Sequence, residues 1–145
     1  MNARVVCLGE ALIDFVADTA GVTLEECPGF RKAPGGAPGN VAVGLARLGV
    51  PAAFVGKVGD DPFGRFLRDT FAAAGVDTGP MLLSPEARTG LAFVSLLANG
   101  ERDFLFYRHP SADMLLRWEE VPESLFAEAR ILHHGSITLI GEPSR

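Results

Sequence analysis

Charge clusters, long apolar runs and closely spaced cysteines are scarce in this sequence, and each scarcity excludes a class of protein. Acidic residues outnumber basic ones by 18 to 13 and no Lys/Arg cluster occurs, which argues against a nucleic-acid surface. The longest strongly apolar run, Leu91 to Ala98, is too short to span a bilayer. Cys7 and Cys27 lack C-x-x-C spacing, so we expect free thiols in a reducing compartment, by default the cytoplasm.

Several standard site motifs are also missing. The sequence contains no P-loop, no G-x-G-x-x-G dinucleotide fingerprint, no G-x-S-x-G elbow and no H-E-x-x-H. The tandem pair Asp60-Asp61 invites a metal interpretation, but helix capping explains Asp61 and no further ligands lie nearby in sequence. His133 and His134 are adjacent, so on a strand they face opposite sides and cannot share one metal. We therefore assign no metal site.

The sequence does contain a glycine-rich stretch that runs directly into a helical pattern, Ala33 to Gly49 (APGGAPGNVAVGLARLG). Gly35 and Gly36 lack a Cβ, so a ligand can approach the main chain there and a positive φ is available. Pro38 suits a first helical turn, and Asn40 places an amide beside the unpaired N–H groups of that turn. The residues alone fit either a pocket for a hydroxylated small molecule or a plain strand-to-helix turn.

Hydrophobic periodicity predicts alternating strands and helices around that stretch. The predicted parallel strands cover Arg4 to Leu8, Ala52 to Val58 and Arg130 to His134. The predicted helices cover Pro38 to Leu48 (Val41, Leu45 and Leu48 inward, Gly49 ending it), 63–74 (Asp61 as N-cap, Pro62 first) and 122–130. Short strands with turns are predicted for 15–32. This alternation indicates an α/β fold, with a mainly parallel sheet flanked by helices.

An antiparallel hairpin interrupts the alternation. Two strand-like runs, 89–97 and 101–108, are joined at Asn99-Gly100, the strongest short hairpin signal. Period-2 alternation places Phe106 and Arg108 on one face of the second run. Because an inserted hairpin often covers a site or an edge, Arg108 either reaches a bound ligand or is a solvated terminal charge.

Two carboxylates, Glu10 and Asp14, follow the first predicted strand at short distance. Open α/β sheets hold their ligands at the carboxyl ends of the strands. Asp14 is therefore a candidate acceptor for hydroxyl groups, and the alternative is a solvated residue in an exposed strand.

Six stretches together resemble the PfkB (ribokinase-like) carbohydrate kinases, and most closely the plant-type fructokinases. In chain order they are GEALIDFV (Gly9 to Val16), APGGAPGNVAVGLARLG (Ala33 to Gly49), FVGKVGDDPFG (Phe54 to Gly64), ARTGLAFVSL (Ala87 to Leu96), FYRHPSADMLL (Phe106 to Leu116) and HHGSITLI (His133 to Ile140). The resemblance implies a ribokinase-like fold, of which 1–145 is the N-terminal part, with a small β lid formed by about 13–33 and 88–109. Two departures are His109, where we expect Asn, and Gly39, where Ala is usual and where glycine costs a little helix stability.

The resemblance also implies transfer of the γ-phosphoryl group of ATP to the 6-hydroxyl of D-fructose, with ATP and Mg²⁺ as the family's cofactors. Asp14 and Asn40 would hydrogen-bond the sugar, while Gly35 and Gly36 would let it approach the backbone. Arg108 and Phe106 would close over it from the lid, and the lids of two subunits would pair in a homodimer. The same pocket motifs leave 2-keto-3-deoxygluconate and ribose as alternative substrates.

The family's catalytic base lies in a C-terminal G-A-G-D stretch, which this sequence does not contain. The adenine-binding region is missing as well, so we assign no catalytic or cofactor-binding residue. Because phosphoryl transfer depends on positioning and charge stabilisation, we expect a chain truncated at the C-terminus in this way to be inactive alone. Two further hypotheses are a non-catalytic sugar-binding or dimerising module, and a marginally folded chain whose cut sheet exposes an edge.

Overall fold

Strands and helices alternate along residues 5–127 and 129–145, which are the residues described by this computed structural model. The strands are β1 (Val5–Leu8), β2 (Leu12–Ala17), β3 (Phe30–Gly35), β4 (Ala52–Gly59), β5 (Met81–Ser84), β6 (Leu91–Leu96), β7 (Arg102–Tyr107) and β8 (Ile131–His134). The helices are α1 (Ala37–Arg47), α2 (Pro62–Ala73) and α3 (Ser124–Ala127), with 3₁₀ turns at Ala112–Leu115, Trp118–Glu120 and Ile137–Ile140.

The strands form two four-stranded sheets. The first, called the parallel sheet below, has the order β5-β4-β1-β8 and every neighbouring pair runs parallel. The second, called the mixed sheet, has the order β3-β2-β6-β7, with a parallel β2–β6 pair between two antiparallel pairs. The predicted parallel α/β core and the predicted hairpin are both confirmed.

Apolar side chains cover both faces of the parallel sheet. All eight residues of β4 are buried, as expected for a parallel strand with packing on each side. On one face the sheet packs against α1 and α2, where the rings of Phe54 and Phe71 meet edge to face at 5.2 Å. On the other face Val6 and Val55 pack with Leu116. This double covering places β1 and β4 at the centre of the molecule.

An aromatic cluster attaches the mixed sheet to α2. Phe15 on β2 stacks on Phe93 of β6 at 5.0 Å and meets the edge of Phe63 on α2 at 5.8 Å. Phe30 of β3 adds an edge contact to Phe93 at 5.2 Å. Because successive side chains of a strand alternate between faces, Asp14, next to Phe15, lies on the face away from this cluster. The mixed sheet therefore presents that face to a ligand or to solvent.

Most predicted element boundaries agree with the structure within one or two residues, and two expectations are wrong. Leu48 is 82% exposed rather than inward, because it stands at the C-cap position where the helix ends. Val41 and Leu45 pack against the core as predicted, and Pro38, Gly39 and Ala42 are the fully buried residues of α1. The helix predicted over 122–130 is a single turn, Ser124–Ala127, since the chain must return into β8 at Ile131. Arg4, predicted to begin the first strand, lies outside the described residues.

β8 forms an edge of the parallel sheet. Ile131 and Leu132 are 59% and 52% exposed, whereas Val5 and Val6, their partners on β1, are buried. An apolar groove of about 260 Å³ lies beside Leu132. Parallel strands are normally covered on both sides, so this edge is unusually open.

No helix in the described part of the chain is long and apolar enough to cross a membrane. Cys7 and Cys27 are both free thiols. Burial raises the pKa of Cys7 to about 11, so this thiol stays protonated and packs as a small apolar residue.

Candidate functional site

Four residues in register place Asp14 and Phe106 on one face of the mixed sheet. Asp14 on β2 pairs with Ala33 on β3 and with Ala92 on β6, and Ala92 in turn pairs with Phe106 on β7. Residues opposite one another in a sheet project to the same side, and neighbouring strands lie about 4.8 Å apart. Two strand spacings, about 10 Å, therefore separate the backbones of Asp14 and Phe106. On the neighbouring strands, the side chains directly beside the Asp14 carboxylate are the methyl groups of Ala33 and Ala92.

Two glycines shape the turn between β3 and α1. A Cβ at Gly35 would collide with the carboxylate of Asp14, so glycine leaves the space which that carboxylate occupies. Gly36 has φ +102°, a conformation that L-residues rarely adopt, and a Cβ there would strike the backbone oxygen of Glu10. The space that a Cβ would take at each glycine is therefore filled by the protein itself, and the approach of a ligand to these two residues stays a prediction.

The carboxylate of Asp14 is half-buried, and burial raises its pKa above the ordinary value of 3.8. Among the residues that the structure describes, no cation and no hydrogen-bond donor offsets that burial. An ionised carboxylate in this position is poorly solvated, and it gains when ligand hydroxyl groups donate to it. Asp14 therefore offers a half-buried carboxylate without a partner among the described residues.

Asn40 lies in the first turn of α1. Its backbone N–H donates to the carbonyl of Gly36 at 2.9 Å, and its side chain is exposed. The amide stands on the same turn as Gly36, which directly follows Gly35 beside Asp14. The structure thus brings four of the six predicted residues, Asp14, Gly35, Gly36 and Asn40, to the start of α1.

Glu10 is a site residue that sequence reasoning missed. Gly36 at the N-cap of α1 offers no side chain, and instead Oε1 of Glu10 accepts the N–H of Ala37 at 3.0 Å. Glu10 is only 2% exposed, and its Oε2 has no partner among the described residues. The available signal was a carboxylate directly after the first strand, combined with a predicted helix that lacks a Ser, Thr, Asp or Asn cap.

Arg108 is buried, which excludes the alternative of a solvated terminal charge. Only 9% of the residue is exposed, and its Nη2 forms an ion pair with Asp113 Oδ2. Its Nε, also buried, has no acceptor in the described part of the chain. Arg108 and Phe106 line a cleft of about 340 Å³ together with Met114, Ile137 and Ile140. Asp14 and Asn40 do not line this cleft, so the six predicted residues form two neighbouring groups.

Asp61 caps α2 as predicted, and its neighbour Asp60 has a separate partner. Oδ1 of Asp61 accepts the N–H groups of Phe63 and Gly64 at 3.0 and 2.9 Å, which caps α2, whereas exposed Asp60 pairs with Arg65. Although burial works in the opposite direction, these bonds and those from Thr89 hold the pKa of Asp61 below its ordinary value. Within residues 5–127 and 129–145, no three His, Cys, Asp or Glu side chains are grouped closely enough to hold a metal ion.

Comparisons with known proteins agree with this geometry. The family model "pfkB family carbohydrate kinase" matches residues 2–144. A probable fructokinase-7 of Arabidopsis thaliana is 59% identical over 141 residues, which are 97% of this chain and 41% of that protein. A sugar kinase of Pyrococcus horikoshii, solved in complex with ATP, superposes with a TM-score of 0.91 at 37% identity, covering 97% of this chain and 46% of that one.

A double-mutant fructokinase of Vibrio cholerae, solved with bound fructose, ADP and potassium ion, superposes with a TM-score of 0.85. It is 40% identical, and the match covers 99% of this chain and 44% of that one. The chain therefore spans less than half the length of the relatives it matches. With its family match, its parallel sheet and its sugar-kinase neighbours, this chain belongs to the pfkB family of carbohydrate kinases and has the ribokinase-like fold.

Proposed function

We propose that this chain is the sugar-binding part of a fructokinase-type kinase, which transfers the γ-phosphoryl group of ATP to the 6-hydroxyl of D-fructose. The observation that carries the proposal is the Asp14 carboxylate, which is half-buried beside Gly35 and has no donor among the described residues. Fructokinases among its relatives, one of them solved with fructose bound, support the choice of sugar.

The two groups of residues would bind the sugar from two sides. Asp14 would accept hydrogen bonds from hydroxyl groups, and the amide of Asn40 can both donate and accept. Gly35 and Gly36 would let the sugar approach the backbone, with the Asp14 carboxylate filling the space that a Cβ at Gly35 would take. Arg108 would donate from its free Nε, while the Phe106 ring would cover an apolar face of the sugar.

We further propose that segments at about 13–33 and 88–109, which supply most of the mixed sheet, act as a lid over the sugar. The aromatic attachment of this sheet to α2 leaves the Asp14 face available for closure. Closing the site would exclude water, which suppresses hydrolysis of ATP and strengthens the electrostatic contacts inside.

A homodimer through the lid is part of the proposal. β7 is an edge strand of the mixed sheet, and Leu105 and Tyr107 are 47% and 60% exposed on it. An edge with exposed apolar side chains is suited to pairing with a second copy. Sedimentation should give a dimer for the unmodified chain and a monomer for Leu105→Lys. A monomeric unmodified chain would contradict this part of the proposal.

The chemistry itself is proposed to require residues beyond this chain. The sequence has no G-A-G-D stretch, and a region that contains this stretch would hold ATP and Mg²⁺. We place the reaction in the cytoplasm. The isolated chain should therefore form no fructose 6-phosphate from fructose and ATP. A non-catalytic sugar-binding or dimerising role is the alternative for a chain of this length, and ribose or 2-keto-3-deoxygluconate are alternative ligands.

Calorimetry with D-fructose tests the proposal directly. The chain should bind fructose, and Asp14→Ala should weaken binding about tenfold or more, because hydrogen bonds to a charged group contribute about 1.5–3 kcal/mol. Asp69→Ala, on the exposed side of α2, removes the same charge elsewhere and should bind like the unmodified chain. Equal affinities for all three proteins, or tighter binding of ribose, would refute the assignment.

A further inference from the structure

Asp113 holds Arg108 from behind in an ion pair that is almost inaccessible to solvent. The two side chains are 2% and 10% exposed. Oδ2 of Asp113 accepts from the guanidinium, and Oδ1 accepts from the hydroxyl of Ser111. Both carboxylate oxygens therefore have partners, and Asp113 cannot turn toward a ligand.

This pairing cancels the positive charge of the cleft. Arg108 is the one lysine or arginine among the described residues that line it, and the remaining lining side chains are apolar except for those of His109 and Ser144. Because Asp113 contacts the same guanidinium, the two formal charges largely compensate at the distance of a ligand. Asp14, on the sheet face that Phe106 shares, adds a further negative charge.

Charge compensation leaves the hydrogen-bonding capacity of Arg108 intact. A guanidinium has five N–H donors in a fixed geometry, and its Nε remains without an acceptor among the described residues. A neutral hydroxyl can accept from such a donor at no cost in net charge. A ligand carboxylate would also meet the guanidinium, but its negative charge would lie near the negative charges of Asp113 and Asp14.

We propose that Asp113 is a specificity-determining residue, which neutralises Arg108 and thereby makes the site select a neutral sugar over a sugar acid. The inference rests on the proposed function, because it assumes that Arg108 faces the sugar. Asp113, a buried side chain that need not touch the ligand, would then determine whether the site prefers fructose or an acidic sugar such as 2-keto-3-deoxygluconate.

The test compares D-fructose with 2-keto-3-deoxy-D-gluconate by calorimetry. In Asp113→Asn the affinity for the acid, relative to that for fructose, should rise about tenfold or more, because Arg108 then presents an uncompensated charge. That gain should shrink as salt is added. Asp69→Asn makes the same change in net charge on the exposed side of α2 and should leave the ratio unchanged.

A double variant, Arg108→Gln with Asp113→Asn, removes both charges and keeps the chain testable if the single variant does not fold. Its affinity ratio should stay within about threefold of the original, since the cleft remains neutral. The inference would be overturned, with the proposed function intact, by either of two results. One is a folded Asp113→Asn that binds fructose with an unchanged ratio of acid to fructose affinity, and the other is a double variant that gains affinity for the acid. Absence of sugar binding by the unmodified chain would overturn it together with the proposed function.

Discussion

The role of a carboxylate in this chain depends on the hydrogen-bond donors in its immediate surroundings. Asp61 is 5% exposed and accepts four hydrogen bonds, two from the start of α2 and two from Thr89, at 2.8–3.0 Å. The capping role could be predicted from the sequence because it depends on neighbours two and three positions away. The bonds from Thr89 could not, because they join residues that are distant in sequence.

Replacing Asp61 by Ala should lower the free energy of unfolding by about 2–3 kcal/mol, since a cap and a buried polar network are lost together. Asp60→Ala is the matched control, because it removes the adjacent charge and only an exposed ion pair, for a loss of under about 1 kcal/mol. Urea denaturation of both variants measures the difference. Equal losses would show that the Thr89 contacts contribute nothing.

Asp14 should oppose stability while it supports binding. Burial raises its folded pKa above 3.8, so ionisation costs the folded state free energy at neutral pH, and this cost disappears as the pH falls below 3.8. Asp14→Asn should therefore melt higher than the unmodified chain at pH 7 but not at pH 3, and bind fructose more weakly. Fructose affinity of the unmodified chain should fall as the pH drops through the raised pKa, and Asp14→Asn should not show this fall. Thermal melts and calorimetry across pH provide both measurements.

At the scale of elements, α1 shows where sequence reasoning was sufficient and where it was not. Its beginning, its end and the glycine at its C-terminus follow from local residue types, and they were predicted. Which side of the helix is buried depends on the parallel sheet below it. Gly39 is buried against the ring of Phe71 for that reason, whereas Leu48 is exposed because the helix ends there.

Gly39 is where the family usually has Ala, and helix propensity alone would make that change stabilising. A Cβ at Gly39 would lie 2.5 Å from Cζ of the buried Phe71. We expect Gly39→Ala to destabilise the fold by about 1 kcal/mol, because overpacking costs about 1–3 kcal/mol and propensity returns less than 1.

Gly44→Ala, in the same helix with open space around it, should instead stabilise by about 0.5–1 kcal/mol. In a Phe71→Leu background the penalty of Gly39→Ala should vanish, since the ring edge is gone. Denaturation curves that show the same sign for both alanine variants would contradict the packing argument.

At the scale of the whole molecule, the family resemblance predicted the ribokinase-like fold, and the residue patterns predicted the parallel sheet and the hairpin. The resemblance grouped 13–33 with 88–109 in a lid, but nothing in the sequence predicted that β2 and β6 would pair in parallel. That pairing follows from long-range packing, in which Phe15 contacts both Phe93 and Phe63 of α2. The ion pair between Arg108 and Asp113 was likewise not predicted, although only five positions separate them, because Arg108 was considered as a ligand contact or a solvated charge and no partner was assigned to it.

The open edge at β8 should make the chain associate beyond the proposed dimer. Leu132→Lys should reduce light scattering from larger species, because a charged side chain on an edge strand opposes strand pairing. Leu48→Lys changes an even more exposed leucine away from any sheet edge and should leave scattering unchanged. Far-ultraviolet circular dichroism should be the same for all three proteins. Scattering that responds equally to both changes would point to general hydrophobicity instead.

The cap that Glu10 provides to α1 also determines when the turn between β3 and α1 can form during folding. The donor and acceptor are 27 positions apart, so α1 begins in its native form only after β1 has docked beside it. Loop closure must therefore precede local order, which is the usual cause of slow formation in folds with distant contacts. A synthetic peptide covering 33–49 should be largely unstructured in water, being short and without its cap. The turn from β3 into α1 is thus a property of the assembled sheet and not of its own sequence.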